Sequence, residues 1–250
     1  MAVSIKSARE IELMREAGKR LAHVHQELET MIAPGISTWE IDAKGEKLIR
    51  DCGCIPNFLH YNGYPASICV SVNDEVVHGI PRKDRYLKEG DIVSLDAGLI
   101  YKGYHSDAAR THAVGKVSTE AQKLMDVTKQ SFFEGIKVAK EGQHLHDISR
   151  AIEEYVTPYG YGIVRDLVGH GIGTALHEDP QIPNYAQKRR GVRLQAGMTL
   201  AIEPMINAGT WQVRFLRDGW TVVTKDGSLS AHYENTILVT DGEPEILTLY

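Results

Sequence analysis

Apolar residues at Ile11, Met14, Leu21, Val24, Leu28 and Met31 recur at helical spacing behind Ser7 and Glu10, and predict a capped helix running to Pro34-Gly35. A second Ser-x-x-Glu box, Ser37 and Glu40, opens a helix that turns Ile41, Leu48 and Ile49 inward and stops at Gly53. Residues 54–67 form a loop dense in aromatics and turn formers, among them Phe58, Tyr61 and Tyr64, which leads into a strand over Ile68–Val72. Such a loop either lines an apolar pocket or packs over the core. His78 follows in Val76-Val77-His78-Gly79-Ile80-Pro81, and taken alone it reads as a structural histidine. Ala121, Leu124, Met125, Phe132, Ile136 and Ala139 predict a third helix, and Leu145, Ile148, Ile152, Tyr155 and Val156 a fourth. A short strand over 163–168 runs into Gly-His-Gly-Ile-Gly at 169–173, where glycines on either side of His170 would let a ligand or metal approach the backbone. This is neither a dinucleotide fingerprint nor a phosphate loop. His177 lies seven residues beyond His170. Two later strands deliver Glu203, in Ala-Ile-Glu-Pro-Met, and Glu234, in Ala-His-Tyr-Glu-Asn-Thr-Ile. A glutamate between aliphatic neighbours needs either a cation or a place at the sheet edge.

Residues 92–110 read as two strands joined by a hairpin centred on Tyr101 and Lys102, which sets Asp96 directly opposite Asp107. Facing Cβ atoms in a sheet are about 4.5–5.5 Å apart, and like charges there are destabilising unless a cation intervenes. Two divalent ions spaced about 3.5–4 Å would meet that demand. The alternative is a bulge at Gly103 that slips the register and turns one aspartate to solvent.

Set against itself at an offset of 107 residues, the chain aligns Gly35 with Gly142, Ile41 with Ile148, Gly53 with Gly160 and Asp96 with Glu203. Two copies of one helix-helix-strands unit are thus expected, about 1–115 and 116–250, forming one catalytic domain about a pseudo-twofold axis. Asp107 has no counterpart at this offset, so the second half must carry an insertion, for which 206–225 is the candidate. A two-residue turn at Asp226-Gly227 would pair Gly219 with Glu234 and Trp220 with Tyr233. Asp96, Asp107, His170, Glu203 and Glu234 then make a donor set weighted to oxygen, suited to Mn, Fe, Co or Zn as divalent ions in a reactive site more than to a structural zinc.

The 250 residues, 42% hydrophobic and 24% charged, suffice for a full core. A net charge of -5 argues against nucleic acid or an anionic membrane as partner, and no apolar run approaches the roughly 18 residues of a span. The N-terminus lacks a signal-peptide core, and a cytoplasmic protein is expected. Cys52, Cys54 and Cys69 contain no C-x-x-C pair, so reduced thiols are expected.

The sequence resembles the type I methionine aminopeptidases over nearly its whole length, through His78-Gly-Ile-Pro, the Asp96 and Asp107 hairpin, Gly-His170-Gly-Ile-Gly, His177-Glu, Ala-Ile-Glu203-Pro-Met and Glu234. The length is similar to the short bacterial form. The resemblance implies the pita-bread fold, an α/β (α+β) architecture with an antiparallel sheet core covered by helices and an internal duplication. It implies two divalent ions, with Asp96 chelating one, Asp107 and Glu234 bridging both, and His170 and Glu203 completing the other. Glu203 becomes a proton shuttle, His177 an oxyanion stabiliser and His78 a partner of the scissile amide nitrogen, while Phe58, Tyr61, Tyr64, Cys69, Leu176 and Trp220 wall the methionine pocket. Phe58 stands where a smaller residue is common and Leu176 where an aromatic is common, which puts the pocket's shape in question. A monovalent cation, Na or K, is implied near Asn73 and Ser230. The substrates would be nascent polypeptide N-termini with a small second residue, met at the ribosome by a monomer. The rival readings are an Xaa-Pro dipeptidase or aminopeptidase of the same fold and a binding relative without metals.

Overall fold

The computed structural model describes residues 3–249. The first half runs α1 (Ala8–Glu29), α2 (Thr38–Asp51), β1 (Ile55–Pro56), β2 (Ile68–Val72), β3 (Glu75–Val77), β4 (Ile92–Tyr101) and β5 (Tyr104–Ala113). The second runs α3 (Thr119–Ile136), α4 (Leu145–Val156), β6 (Gly162–Ile163), β7 (Gly169–Gly171), β8 (Glu178–Ile182) and β9 (Thr199–Ile202). It continues through β10 (Met205–Asn207), β11 (Val213–Phe215), β12 (Val222–Thr224), β13 (Ser230–His232), β14 (Glu234–Leu238) and β15 (Glu245–Ile246).

Both predicted capping boxes form: the Ser7 and Ser37 hydroxyls accept from the Glu10 and Glu40 N–H groups, whose carboxylates reach back to the cap N–H. α1 ends earlier than its apolar stripe suggests, because Met31 and Ile32 make tight bonds to the carbonyls three residues back and close the last turn before Pro34. α3 likewise closes at Ile136, leaving Ala139 in the following turn. The strand expected over 163–168 is confined to β6 and β7, with 164–168 between them irregular.

An antiparallel sheet of order β1-β4-β5-β14-β9-β7-β8 forms the centre, with β2 also on β4 and β15 on β14. α1 lies on β4 and β5, α2 on β2, and α3 packs with α4 and touches β5 and β13. Each half therefore has its own core. One gathers Leu21, Leu28, Ile41, Ile68 and Leu95, and the other Leu124, Phe132, Ile148, Leu200 and Ile237. The repeat is written in the backbone as well. Gly35 and Gly142 both adopt a left-handed conformation (φ 93° and 85°), and their N–H groups donate to Leu87 and Leu194, which are related by the same offset. Isolated bridges Ser37–Tyr86 and His144–Arg193 repeat it again. The halves join where β5 pairs with β14, Ala109 facing Glu234.

The second half replaces the tight β4–β5 turn with β10 to β13, the insertion that the repeat required. The hairpin expected about Asp226-Gly227 does not form. β12 pairs with β11 and β3, and β13 with β10, because the Asp226 carboxylate instead accepts the N–H groups of Thr210 at 2.7 Å and Ser228 at 3.1 Å.

Candidate metal centre and substrate pocket

The β4–β5 hairpin turns at Lys102-Gly103, both left-handed (φ 48° and 85°), one residue later than the sequence suggests. Asp96 consequently faces Ala109, and Asp107 faces Gly98. The pairing has moved by two residues in all, so both aspartates keep the same face and stand diagonal to each other instead of opposite. No bulge intervenes at Gly103. On the same sheet, β9 lies between β14 and β7, and β14 between β5 and β9, so neither Glu203, just past β9, nor Glu234, at the start of β14, sits on an edge strand.

The glycines around His170 have a structural cause. A Cβ on Gly169 would lie 2.4 Å from the Ala201 carbonyl oxygen, one on Gly171 2.3 Å from that of Asp179, and one on Gly173 2.5 Å from Lys6 Cε. They admit neighbouring chain, not a ligand. The effect is to seat His170 in the sheet with its Nδ1 2.8 Å from the Gly171 carbonyl. Nδ1 donates that bond, and Nε2 is left as an acceptor, 3.8 Å from both Asp107 Oδ2 and Glu203 Oε1.

Asp107, His170 and Glu234 each offer one donor atom, all within 4.8 Å of one another. Asp96, Asp107, His170, Glu203 and Glu234 line one cavity of about 230 Å³ together with Phe58, Tyr61, Asn62, Tyr64, Cys69, His78, Leu176, His177 and Trp220. Every residue singled out for the divalent metal, the reaction or the methionine pocket thus lines this one cavity, and among the described residues no lysine or arginine does. The four carboxylates, Asp107 and Glu234 buried and Asp96 and Glu203 partly buried, crowd one another and hold protons tightly. Burial pushes Asp96 up to about 7 and Glu203 up to about 8, and burial with the neighbouring carboxylates raises Asp107 and Glu234 further above the usual range. Among the described residues, Asp96 Oδ1 and Asp107 Oδ1 have no hydrogen-bond partner. Orphaned buried oxygens beside an imidazole held in the accepting tautomer fit a divalent ion.

The histidines are held neutral. Burial lowers His78 and His232 to about 4 and His170 to about 3, and burial also lowers His177. The His177 ring is 4.3 Å from that of His170, and its Nδ1 lies 2.8 Å from the Tyr61 hydroxyl. His78 is left-handed at φ 59°, a strained conformation for a residue with a side chain, and its ring meets Trp220 edge-on. Tyr64 also meets Trp220 edge-on and donates to the Gly79 carbonyl at 2.9 Å. The aromatic loop belongs both to the core, where Phe58, Tyr64, Cys69 and Leu176 pack with Met14 and Leu247, and to the cavity wall.

His232 and Asn62 escaped the sequence reading. His232 is 1% exposed with Nε2 3.6 Å from Glu203 Oε2. It ends β13, two residues before Glu234 at the start of β14, and no local pattern in the sequence marks it. Asn73 and Ser230 are adjacent, the Ser230 N–H donating to the Asn73 carbonyl at 2.9 Å.

A family model described as metallopeptidase family M24 matches residues 12–241. The chain belongs to that family. A methionine aminopeptidase of Clostridium acetobutylicum is 54% identical over 247 residues, covering 99% of each chain. The crystal structure of a methionine aminopeptidase from Thermotoga maritima superposes with a TM-score of 0.97 at 46% identity over the full length of both chains. An Xaa-Pro dipeptidase from Bacillus anthracis shares the fold with a TM-score of 0.79 at 26% identity, but this chain covers only 61% of it. Membership in M24 implies use of divalent metal. Among the described residues no helix is long and apolar enough to cross a membrane.

Proposed function

We propose that the protein removes the N-terminal methionine from nascent chains and peptides whose second residue is small. The observation that carries this reading is one cavity with a carboxylate and imidazole floor and an apolar wall, in a chain whose full-length relatives are methionine aminopeptidases. Asp96, Asp107, His170, Glu203 and Glu234 would hold two divalent ions of the Mn, Fe, Co or Zn type, which acidify water and polarise a carbonyl oxygen at the site.

The chain's own residues do the rest. Glu203, held as carboxylate by the ions beside it, accepts a proton from the attacking water and returns it to the leaving amine. With Tyr61 donating to His177 Nδ1, the ring proton sits on Nε2, where it can donate to the oxygen that gains charge in the tetrahedral intermediate. Neutral His78 orients the scissile amide nitrogen. Tyr64, Cys69 and Trp220 exclude water from the side-chain pocket, and the rings of Tyr64 and Trp220 suit a thioether. Phe58 and Leu176 both belong to that wall and keep it apolar. At the periphery the same reading includes a sodium or potassium ion at Asn73 and Ser230, action as a monomer in the cytoplasm, and encounter with nascent chains at the ribosome.

The test is hydrolysis of Met-Ala-Ser by enzyme stripped of metal and then titrated with Mn(II) or Co(II). Activity should vanish with chelation and return with metal. Undiminished turnover after complete metal removal would end the reading, and a preference for proline over alanine at the second position would assign the chain to a proline-directed peptidase.

A further inference from the structure

We propose that Lys6, in the segment ahead of α1, is a positioning residue for His177 and acts through Glu178. The proposal rests on the reading of His177 as part of the reaction site. Lys6 is 7% exposed, and its Nζ donates to Glu178 Oε2 at 2.6 Å and to the Ser4 hydroxyl at 2.7 Å. The other oxygen of Glu178 accepts from the Ala175 N–H at 3.2 Å and from the Thr174 hydroxyl at 3.5 Å. One carboxylate therefore gathers the turn 174–178, and Leu176 and His177 are carried on that turn into the cavity.

The anchor at the other end is equally definite. The Lys6 N–H donates to the Gly197 carbonyl at 2.8 Å, two residues before β9 and its terminal neighbour Glu203. Lys6 thus ties the His177 turn to the strand that ends at the proton shuttle. Gly173 makes room for the tie. A Cβ there would stand 2.5 Å from Lys6 Cε, 2.7 Å from its Nζ and 2.6 Å from Glu178 Oε1. The glycine also gives its carbonyl to the His105 N–H at 2.8 Å, so the turn is held to β5 as well. Removing the ammonium leaves a half-buried carboxylate without its partner, and that carboxylate turns toward water, releasing the turn. His177 lies one residue away, and a displacement of about 1 Å at a group acting on the transition state costs up to about 10²-fold in rate.

The experiment compares Lys6→Met, Lys6→Arg, His177→Ala and the double variant Lys6→Met with His177→Ala, all loaded with Mn(II), on Met-Ala-Ser. The expected result is that Lys6→Met lowers kcat by about 10-fold to 10²-fold with KM changed much less and metal content unchanged. Lys6→Arg recovers most of the loss, and the double variant is no slower than His177→Ala alone, because the lysine works only through the histidine. Should Lys6→Met fail to fold, Glu178→Gln takes its place with the same expectations. Wild-type kcat in Lys6→Met beside an impaired His177→Ala would overturn the brace and leave the site reading intact, as would a full additional loss in the double variant. Wild-type turnover in His177→Ala would remove the site reading and the brace together.

Discussion

Asp107 and His78 separate the two kinds of residue at this site, one defined by charge and the other by backbone. Asp107 is buried with an unpartnered oxygen and three other carboxylates around it, so its removal relieves repulsion while taking away a donor. Asp107→Asn is expected to leave melting of the metal-free protein unchanged or higher and to lower metal affinity and turnover by more than about 10²-fold, an effect larger than that of losing an outer-shell partner. Isothermal titration with Mn(II) checks this, and wild-type affinity would contradict the assignment. His78 holds a left-handed φ of 59° that glycine adopts freely. His78→Gly should therefore gain about 1 kcal/mol of stability while losing about 10²-fold in kcat, and a fall in melting temperature with normal turnover would make the histidine structural. Titration adds a third prediction. Asp96 and Glu203, raised to about 7 and 8, bind protons in the folded state that an unfolded chain has released, so their contribution is present at low pH and is lost as pH rises through those values. The lowered histidines, His25, His78, His105, His112, His170, His177 and His232, act oppositely, because the unfolded imidazoles take up protons as pH falls toward and below about 6.5. Above about pH 7.5, where unfolded imidazoles are neutral too, the carboxylate effect dominates, and the melting temperature of metal-free protein should fall as pH rises toward about 8. Added metal should restore most at the upper end, and a flat profile in chelator would contradict this. At this scale the acids were legible because a carboxylate inside an apolar strand stands out. His232 was not, since a histidine in a polar stretch gives no such contrast.

Elements were legible where their signals are local. Both Ser-x-x-Glu boxes gave their helix starts to the residue, because cap and third residue act on each other. Hairpin register was not, because the turn was expected at Tyr101 and Lys102, whereas Tyr101 pairs with Tyr104 as ordinary strand and Lys102-Gly103 makes the turn. The site survived that error since a shift of two residues preserves the face. Gly103, at φ 85° with open space where a Cβ would stand, pays only backbone strain on substitution. Gly103→Ala should lower stability by about 1 kcal/mol without altering kcat, as checked by urea unfolding and turnover on one preparation. A loss of activity with unchanged stability would mean that the turn does more than set register. The glycines beside His170 carried the opposite lesson. Their spacing suggested ligand access, whereas crossing backbone and the Lys6 side chain occupy the space, a long-range fact that no local pattern contains.

For the whole molecule, duplication explains both the arrangement of two cores and the meeting of acids from each half in one cavity. The offset of the repeat was readable because paired glycines and capped helices keep their spacing, while the pairings of β10 to β13 were not, being decided by Asp226 and by contacts with β3 and β6. What unites the molecule is a cavity proposed to cleave after an unbranched N-terminal methionine. The most direct measurement is kcat/KM for X-Ala-Ser peptides with X as methionine, norleucine, leucine and valine, under one metal condition. Methionine and norleucine should be cut well and leucine poorly. Valine, whose Cβ branch meets the wall of Tyr64, Cys69 and Trp220, should be disfavoured by about 1–3 kcal/mol, or about 10-fold to 200-fold. Comparable kcat/KM for Met-Ala-Ser and Val-Ala-Ser would contradict the account.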